Sequence, residues 1–123
     1  MRAHSIIRYF LVSLRLIPKP DFVSRVVPSH PSPEEIALGE IVIVGDRKYR
    51  KWACFRCPDN CGEIVLLCLN TSRHPSWRVT VDWLSRPTLH PSVQQLTGCK
   101  CHFWVREGRI DWCEDSGQTS LNA

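Results

Sequence analysis

The sequence predicts a mainly β, small α+β domain with an N-terminal amphipathic helix, and three observations predict it. Trp77 to Trp83 alternates Trp77, Val79, Val81 and Trp83 against Arg78, Thr80 and Asp82, the period of a half-buried strand. Short apolar runs at Glu40–Val44, Glu63–Leu69, Phe103–Val105 and Arg109–Trp112 are separated by turn pairs such as Gly45-Asp46 and Glu107-Gly108. From Ser5 to Ile17, by contrast, Ser5, Arg8 and Arg15 recur near helical spacing opposite Ile6, Ile7, Phe10, Leu11, Leu14 and Ile17. A chain of 123 residues holds one core.

Taken in order, residues 1–20 read as the basic helix, ended by Pro18 and Pro20, which each lack a backbone donor. Residues 21–33 read as a Pro-rich linker, with Phe22, Val23, Val26 and Val27 able to form a short strand. Ser32 followed by Pro33, Glu34 and Glu35 is a helix start, with Gly39 as its stop. Glu40 to Val44 is a β-branched strand, and Lys48 to Phe55 returns as its hairpin partner. The domain is expected over residues 34–114, with a polar, frayed tail at 115–123.

Sixteen Lys and Arg face twelve Asp and Glu, for a formal charge of +4. Arg2, Arg8, Arg15 and Lys19 carry that excess in a segment without acids, so the remainder is neutral. This argues against a generally basic nucleic-acid protein and for docking by the first segment, with Arg8 and Arg15 as contacts. Arg47, Lys48, Arg50 and Lys51 form a second basic run, read as a dock for an acidic partner or as a solvated strand edge. The five tryptophans are expected mostly in the core. Ile6 to Ile17 is too short to span a bilayer and lacks a cleavage site, so the expected location is the cytoplasm.

All seven cysteines fall after residue 50. In a reducing compartment close-spaced thiols point to metal rather than to disulfides. Cys54, Cys57 and Cys61 form one cluster, while Cys99, Cys101 and His102 form another about forty residues later. Two such clusters read as the halves of one tetrahedral, structural zinc site. The first ligand set is Cys57, Cys61, Cys99 and His102, with Cys54 and Cys101 as alternates. Cys68 and Cys113, inside apolar runs, read as core thiols. Cys101 beside His102 makes a poor nucleophile–base pair, because neighbours on a strand point to opposite faces. No catalytic residue is assigned, and His4, His30, His74 and His90 read as solvated.

The ordered motifs Lys51-Trp52-Ala53-Cys54-Phe55-Arg56-Cys57-Pro58, Cys61-Gly62-Glu63, Pro75-Ser76-Trp77, Thr88-Leu89-His90-Pro91-Ser92-Val93 and Gly98-Cys99-Lys100-Cys101-His102-Phe103-Trp104-Val105 resemble a bacterial family catalogued as domain of unknown function 6527. The resemblance runs from about Ile36 to Cys113. It implies a small Cys/His protein accompanying ubiquitin-like conjugation components. The family pattern has a third cysteine between those matching Cys57 and Cys61, where this chain has Asp59 and Asn60. The expectation is a zinc-binding adaptor, ligase-like by analogy with other zinc domains, that scaffolds a conjugating or activating enzyme by protein–protein contact. The alternatives are a nucleic-acid-binding zinc domain and a thiol or zinc-dependent hydrolase.

Overall fold

The structure is a computed structural model that describes residues 3–46, 48–96 and 98–117. A helix α1 (Ala3–Ser13) precedes eight strands: β1 (Val23–Val27), β2 (Glu40–Gly45), β3 (Arg50–Arg56), β4 (Ile64–Cys68), β5 (Arg78–Val81), β6 (Pro87–Gln94), β7 (His102–Arg106) and β8 (Arg109–Trp112). They form two four-stranded sheets, ordered β1-β2-β3-β4 and β5-β6-β7-β8. The expected mainly β fold with one N-terminal helix is what the chain adopts.

Strand parity explains how the sheets pack. Ile41, Ile43, Ala53, Phe55, Val65 and Leu67 of the first sheet share one core with Val79, Leu89, Val93, Phe103 and Val105 of the second. Phe55 joins them, meeting Phe22 edge-on at 5.2 Å and Phe103 at 6.2 Å between ring centroids. Such pairs add about 0.5–1.5 kcal/mol each beyond simple burial. The intervening residues Val42, Val44 and Cys54 point to the other face, where Ile36 covers them. The core therefore rests on phenylalanines rather than tryptophans: Trp83 and Trp112 are exposed, and Trp52, Trp77 and Trp104 are half-buried.

Several elements depart from expectation for local reasons. The helix stops before either proline: Leu16 N–H bonds to Leu11 carbonyl and Arg15 N–H to Val12 carbonyl, with Arg15 left-handed at φ 59°. This is the Schellman pattern of a helix end. The helix expected after Ser32 is a single 3-10 turn, Pro33–Glu35. Arginines on β1 and β3 take its carbonyls, Arg25 that of Glu35 and Arg56 those of Pro33 and Ile36. The segment read as a linker contains β1, which pairs in parallel with β2. Strand β6 was not anticipated; it carries Pro87 and Pro91, and prolines are confined to strand starts, edges and bulges. Gly108 anchors the β7–β8 turn to the start of β1, its carbonyl accepting the amides of both Asp21 and Phe22 at 2.8 Å.

Candidate functional site

Strand β7 divides two groups of reactive side chains. Phe103 and Val105 face the core, so their neighbours His102, Trp104 and Arg106 face outward and Cys101 faces in.

On the inner side, Cys101 reaches the loop that follows β3. Its Sγ lies 3.3 Å from Cys57 Sγ, and Cys99 Sγ lies 3.6 Å from the same atom. Cys57, Asp59, Cys61 and Cys99 each place a ligand atom within 4.8 Å of the others. Tetrahedral thiolates about a zinc at about 2.3 Å stand about 3.8 Å apart, so the spacing and the donor chemistry fit such an ion. The loop is shaped by Asp59, whose Oδ1 accepts the Cys61 amide at 2.9 Å and the Cys57 thiol at 3.1 Å. Asn60 and Gly62 adopt positive φ, which lets the backbone bend around the thiols. Burial pushes the Cys57 thiol well above its ordinary range and the Cys101 thiol up to about 11. Without an ion these are neutral thiols, and all seven cysteines are free.

Three members of the expected ligand set, Cys57, Cys61 and Cys99, thus come together, and Cys101 joins them. His102 does not, because both of its ring nitrogens are engaged on the opposite face. Cys54 is buried beside Val42 and Val44 in the second core, also away from the cluster. Asp59, in the stretch where the resembled family pattern has a further cysteine, was not among the expected ligands.

On the outer side, His102 Nε2 lies 3.0 Å from Ser92 Oγ, and His102 Nδ1 lies 2.6 Å from Asp115 Oδ1. A carboxylate only accepts hydrogen bonds, so Nδ1 carries the proton and Nε2 is left to accept from the Ser92 hydroxyl. That is the polarity of a nucleophile, a base and an orienting acid. Ser92 reaches His102 through an irregularity in the sheet. Leu89 pairs with Val105 and Val93 with Phe103, so residues 90–92 stand opposite Trp104 alone. A bulge of this kind re-aims a side chain that regular alternation would fix elsewhere. The Trp77 indole N–H, 3.2 Å from the Ser92 carbonyl, holds the bulge.

Asp115 arrives on a turn after β8. The Cys113 amide bonds to His102 carbonyl at 2.9 Å, Ser116 Oγ accepts the His102 amide at 3.0 Å, and Gly117 N–H bonds to Lys100 carbonyl at 2.8 Å. Residues 115–117, expected in a frayed tail, are therefore tied to β7; residues 118–123 lie outside the described residues. Neither Ser92 nor Asp115 was singled out from the sequence. The available signal was Ser92 beside Pro91 in a motif already noted, followed by a histidine and then by the Glu114-Asp115 pair.

The expected docking residues are scattered. Arg8 Nη1 donates to Leu84 carbonyl at 2.7 Å and so ties α1 to the domain, while Arg15 is exposed. Lys48, Arg50 and Lys51 line an open hollow of about 660 Å³ with Arg73 and Tyr49. Arg47 lies outside the described residues. No helix among the described residues is long and apolar enough to cross a membrane.

Fold and site together define a two-sheet β protein that carries a Ser–His–Asp chain on one side of a strand and a thiol cluster on the other. The chain belongs to the BubE family, described as a bacterial ubiquitination-like system serine protease, which it matches over residues 28–113. The match supports the expected tie to ubiquitin-like conjugation, under a different family name from the one the motifs resemble. No curated protein and no solved structure matches the chain.

Proposed function

We propose that the protein is a serine hydrolase of a bacterial ubiquitination-like system, cleaving a peptide or isopeptide bond in a protein of that system. The observation that carries this reading is the continuous Ser92–His102–Asp115 chain of hydrogen bonds at 3.0 and 2.6 Å. The family's description as a serine protease agrees with it.

In this mechanism Ser92 Oγ attacks the carbonyl carbon while its proton passes to His102 Nε2. Asp115 holds the imidazole in the required tautomer and stabilises the imidazolium that forms. The imidazolium then gives that proton to the departing amine, leaving an acyl group on Ser92. Water, deprotonated by the same nitrogen, releases the acid and restores the serine. We prefer this reading to the adaptor expectation because the His102 ring nitrogens face Ser92 and Asp115 rather than the thiol cluster.

Four thiols, Cys57, Cys61, Cys99 and Cys101, are the proposed ligands of one structural zinc, with Asp59 bracing the loop. Bound there, the ion supplies folding free energy and no reaction chemistry. Partner contact is assigned to the hollow lined by Lys48, Arg50, Lys51 and Arg73, where four cations gather on an open surface suited to an acidic protein segment.

A fluorophosphonate probe tests the central claim, since it labels only an activated serine. Labelling of Ser92 that is lost in Ser92→Ala and His102→Ala, with folding unchanged by circular dichroism, is the expected result. An unlabelled but correctly folded and metallated protein would refute the hydrolase.

A further inference from the structure

A second group of metal-binding side chains overlaps the proposed hydrolase site without belonging to the thiol cluster. His102, Cys113 and Asp115 each place one ligand atom within 4.8 Å of the other two. Cys113 has no part in the Ser–His–Asp chain; its amide continues the β7–β8 ladder to His102 carbonyl at 2.9 Å, which fixes its side chain beside the ring. The group is open to solvent, with side-chain exposures of 19% for His102 and 51% for Asp115 and a half-buried Cys113. An ion can therefore reach it and keep a water in its fourth position.

We propose that His102, Cys113 and Asp115 form an inhibitory binding site for zinc, which switches the hydrolase off by capturing its base. The inference rests on the hydrolase reading for its consequence, though not for the binding itself. An imidazole, a thiolate and a carboxylate are the donor types that zinc takes, and three protein ligands plus water is a familiar open set.

The proton balance explains the inhibition. Zinc binds the Nδ1 lone pair, so the neutral ring must carry its single proton on Nε2. Nε2 then only donates toward Ser92 Oγ and has no lone pair for the serine proton. The Cys113 thiol releases one proton to solvent, and Asp115 exchanges its hydrogen bond from Nδ1–H for a bond to the ion. Two anionic ligands offset the charge of the divalent ion, so the assembled site is neutral. Nothing is oxidised or reduced, and chelation of the ion reverses each step.

The experiment uses the full chain with the four-thiol cluster already loaded with zinc. Added Co2+ should produce a new thiolate-to-cobalt charge-transfer band of one further equivalent. That band should also appear in Ser92→Ala and be lost in Cys113→Ser. Added Zn2+ should slow fluorophosphonate labelling of Ser92 by about tenfold or more in the unsubstituted protein. In Cys113→Ser the ratio of rates with and without Zn2+ should stay near one, whatever the absolute rate. Absence of the band, its persistence in Cys113→Ser, or labelling indifferent to saturating Zn2+ would overturn the proposal. Should the ion-free protein take no label, the hydrolase reading falls, while a band lost in Cys113→Ser would still establish the zinc site.

Discussion

Cys101 and His102 are neighbours in the chain and work on opposite faces of it: Cys101 Sγ lies 3.3 Å from Cys57 Sγ, while His102 Nε2 lies 3.0 Å from Ser92 Oγ. A thiol cluster that fixes the start of β7 consequently fixes the proposed base as well. Chelation of the proposed structural ion, or Cys57→Ser, is expected to unfold the region that carries His102. Structural zinc contributes on the order of 10 kcal/mol in small domains, more than the whole stability of many of them. Metal analysis should find one equivalent of zinc in the protein as purified, and a thermal melt after chelation should show the cooperative transition lost. A metal-free protein that still melts cooperatively would contradict the assignment.

The same two residues mark how much the sequence made legible. The mainly β fold could be read because Ile41–Val44 is a short β-branched run, buried on both faces, and because Trp77–Trp83 alternates apolar with polar residues. The two Cys/His clusters could be read because close spacing constrains a tetrahedron. What placed Cys101 beside Cys57 and His102 on the other side was strand parity, and that required knowing which face of β7 meets Cys57. Ser92 escaped notice because it sits in a bulge between two prolines and the next regular pair, where no period applies. Asp115 lies 23 residues further along the chain, in a polar stretch with no sequence period, placed by hydrogen bonds that include those joining Ser116 to His102 and Gly117 to Lys100.

Asp115→Asn should separate orientation from folding. The amide is isosteric with the carboxylate but can offer its NH2 group to Nδ1, which favours the tautomer with the proton on Nε2. That tautomer cannot accept from Ser92. The expected loss in kcat is about 10³–10⁴-fold, the range seen when the orienting acid of a triad is neutralised. Because Asp115 is more than half exposed, the melting temperature should barely change. A kcat within about threefold of the parent protein would remove Asp115 from the mechanism.

Acid stability should depend on Asp82, which organises the turn from β5 to β6. Its Oδ1 accepts the amides of Leu84 and Arg86, and its Oδ2 accepts Arg86 Nε at 2.7 Å. Partial burial alone would raise its carboxyl, but the Arg86 amide and guanidinium and the Leu84 amide outweigh this and hold it below the usual range. A depressed folded-state pKa gives stability that is complete above the unfolded value of about 3.9 and is lost as pH falls through the folded one. Urea midpoints measured from pH 7 downward should therefore hold to about pH 4 and then decline. In Asp82→Asn the midpoint should start lower and the decline should be shallower. Parallel curves for the two proteins would show that this carboxylate does not contribute.

Gly108 is a position where a single added carbon should destabilise the fold. It sits at φ 77°, a conformation that glycine adopts freely and L side chains rarely do. A Cβ there would lie 2.7 Å from the Phe22 carbonyl oxygen and 2.9 Å from Pro20 Cβ, so neither space nor backbone angle accommodates it. The same residue donates its amide to Pro87 carbonyl at 2.7 Å and accepts from Asp21 and Phe22. Relieving the clash must therefore move β6, the β7–β8 turn or the approach to β1. Left-handed strain alone costs about 1–3 kcal/mol, and displacement of Phe22 from its contact with Phe55 adds a packing loss. Gly108→Ala should accordingly lower the urea midpoint by an amount equivalent to about 3 kcal/mol, whereas Gly117→Ala, with nothing within 4 Å of its Cβ, should suffer only the angular cost. Equal losses in the two variants would mean that backbone angle, rather than the contact with Phe22, sets the requirement for glycine.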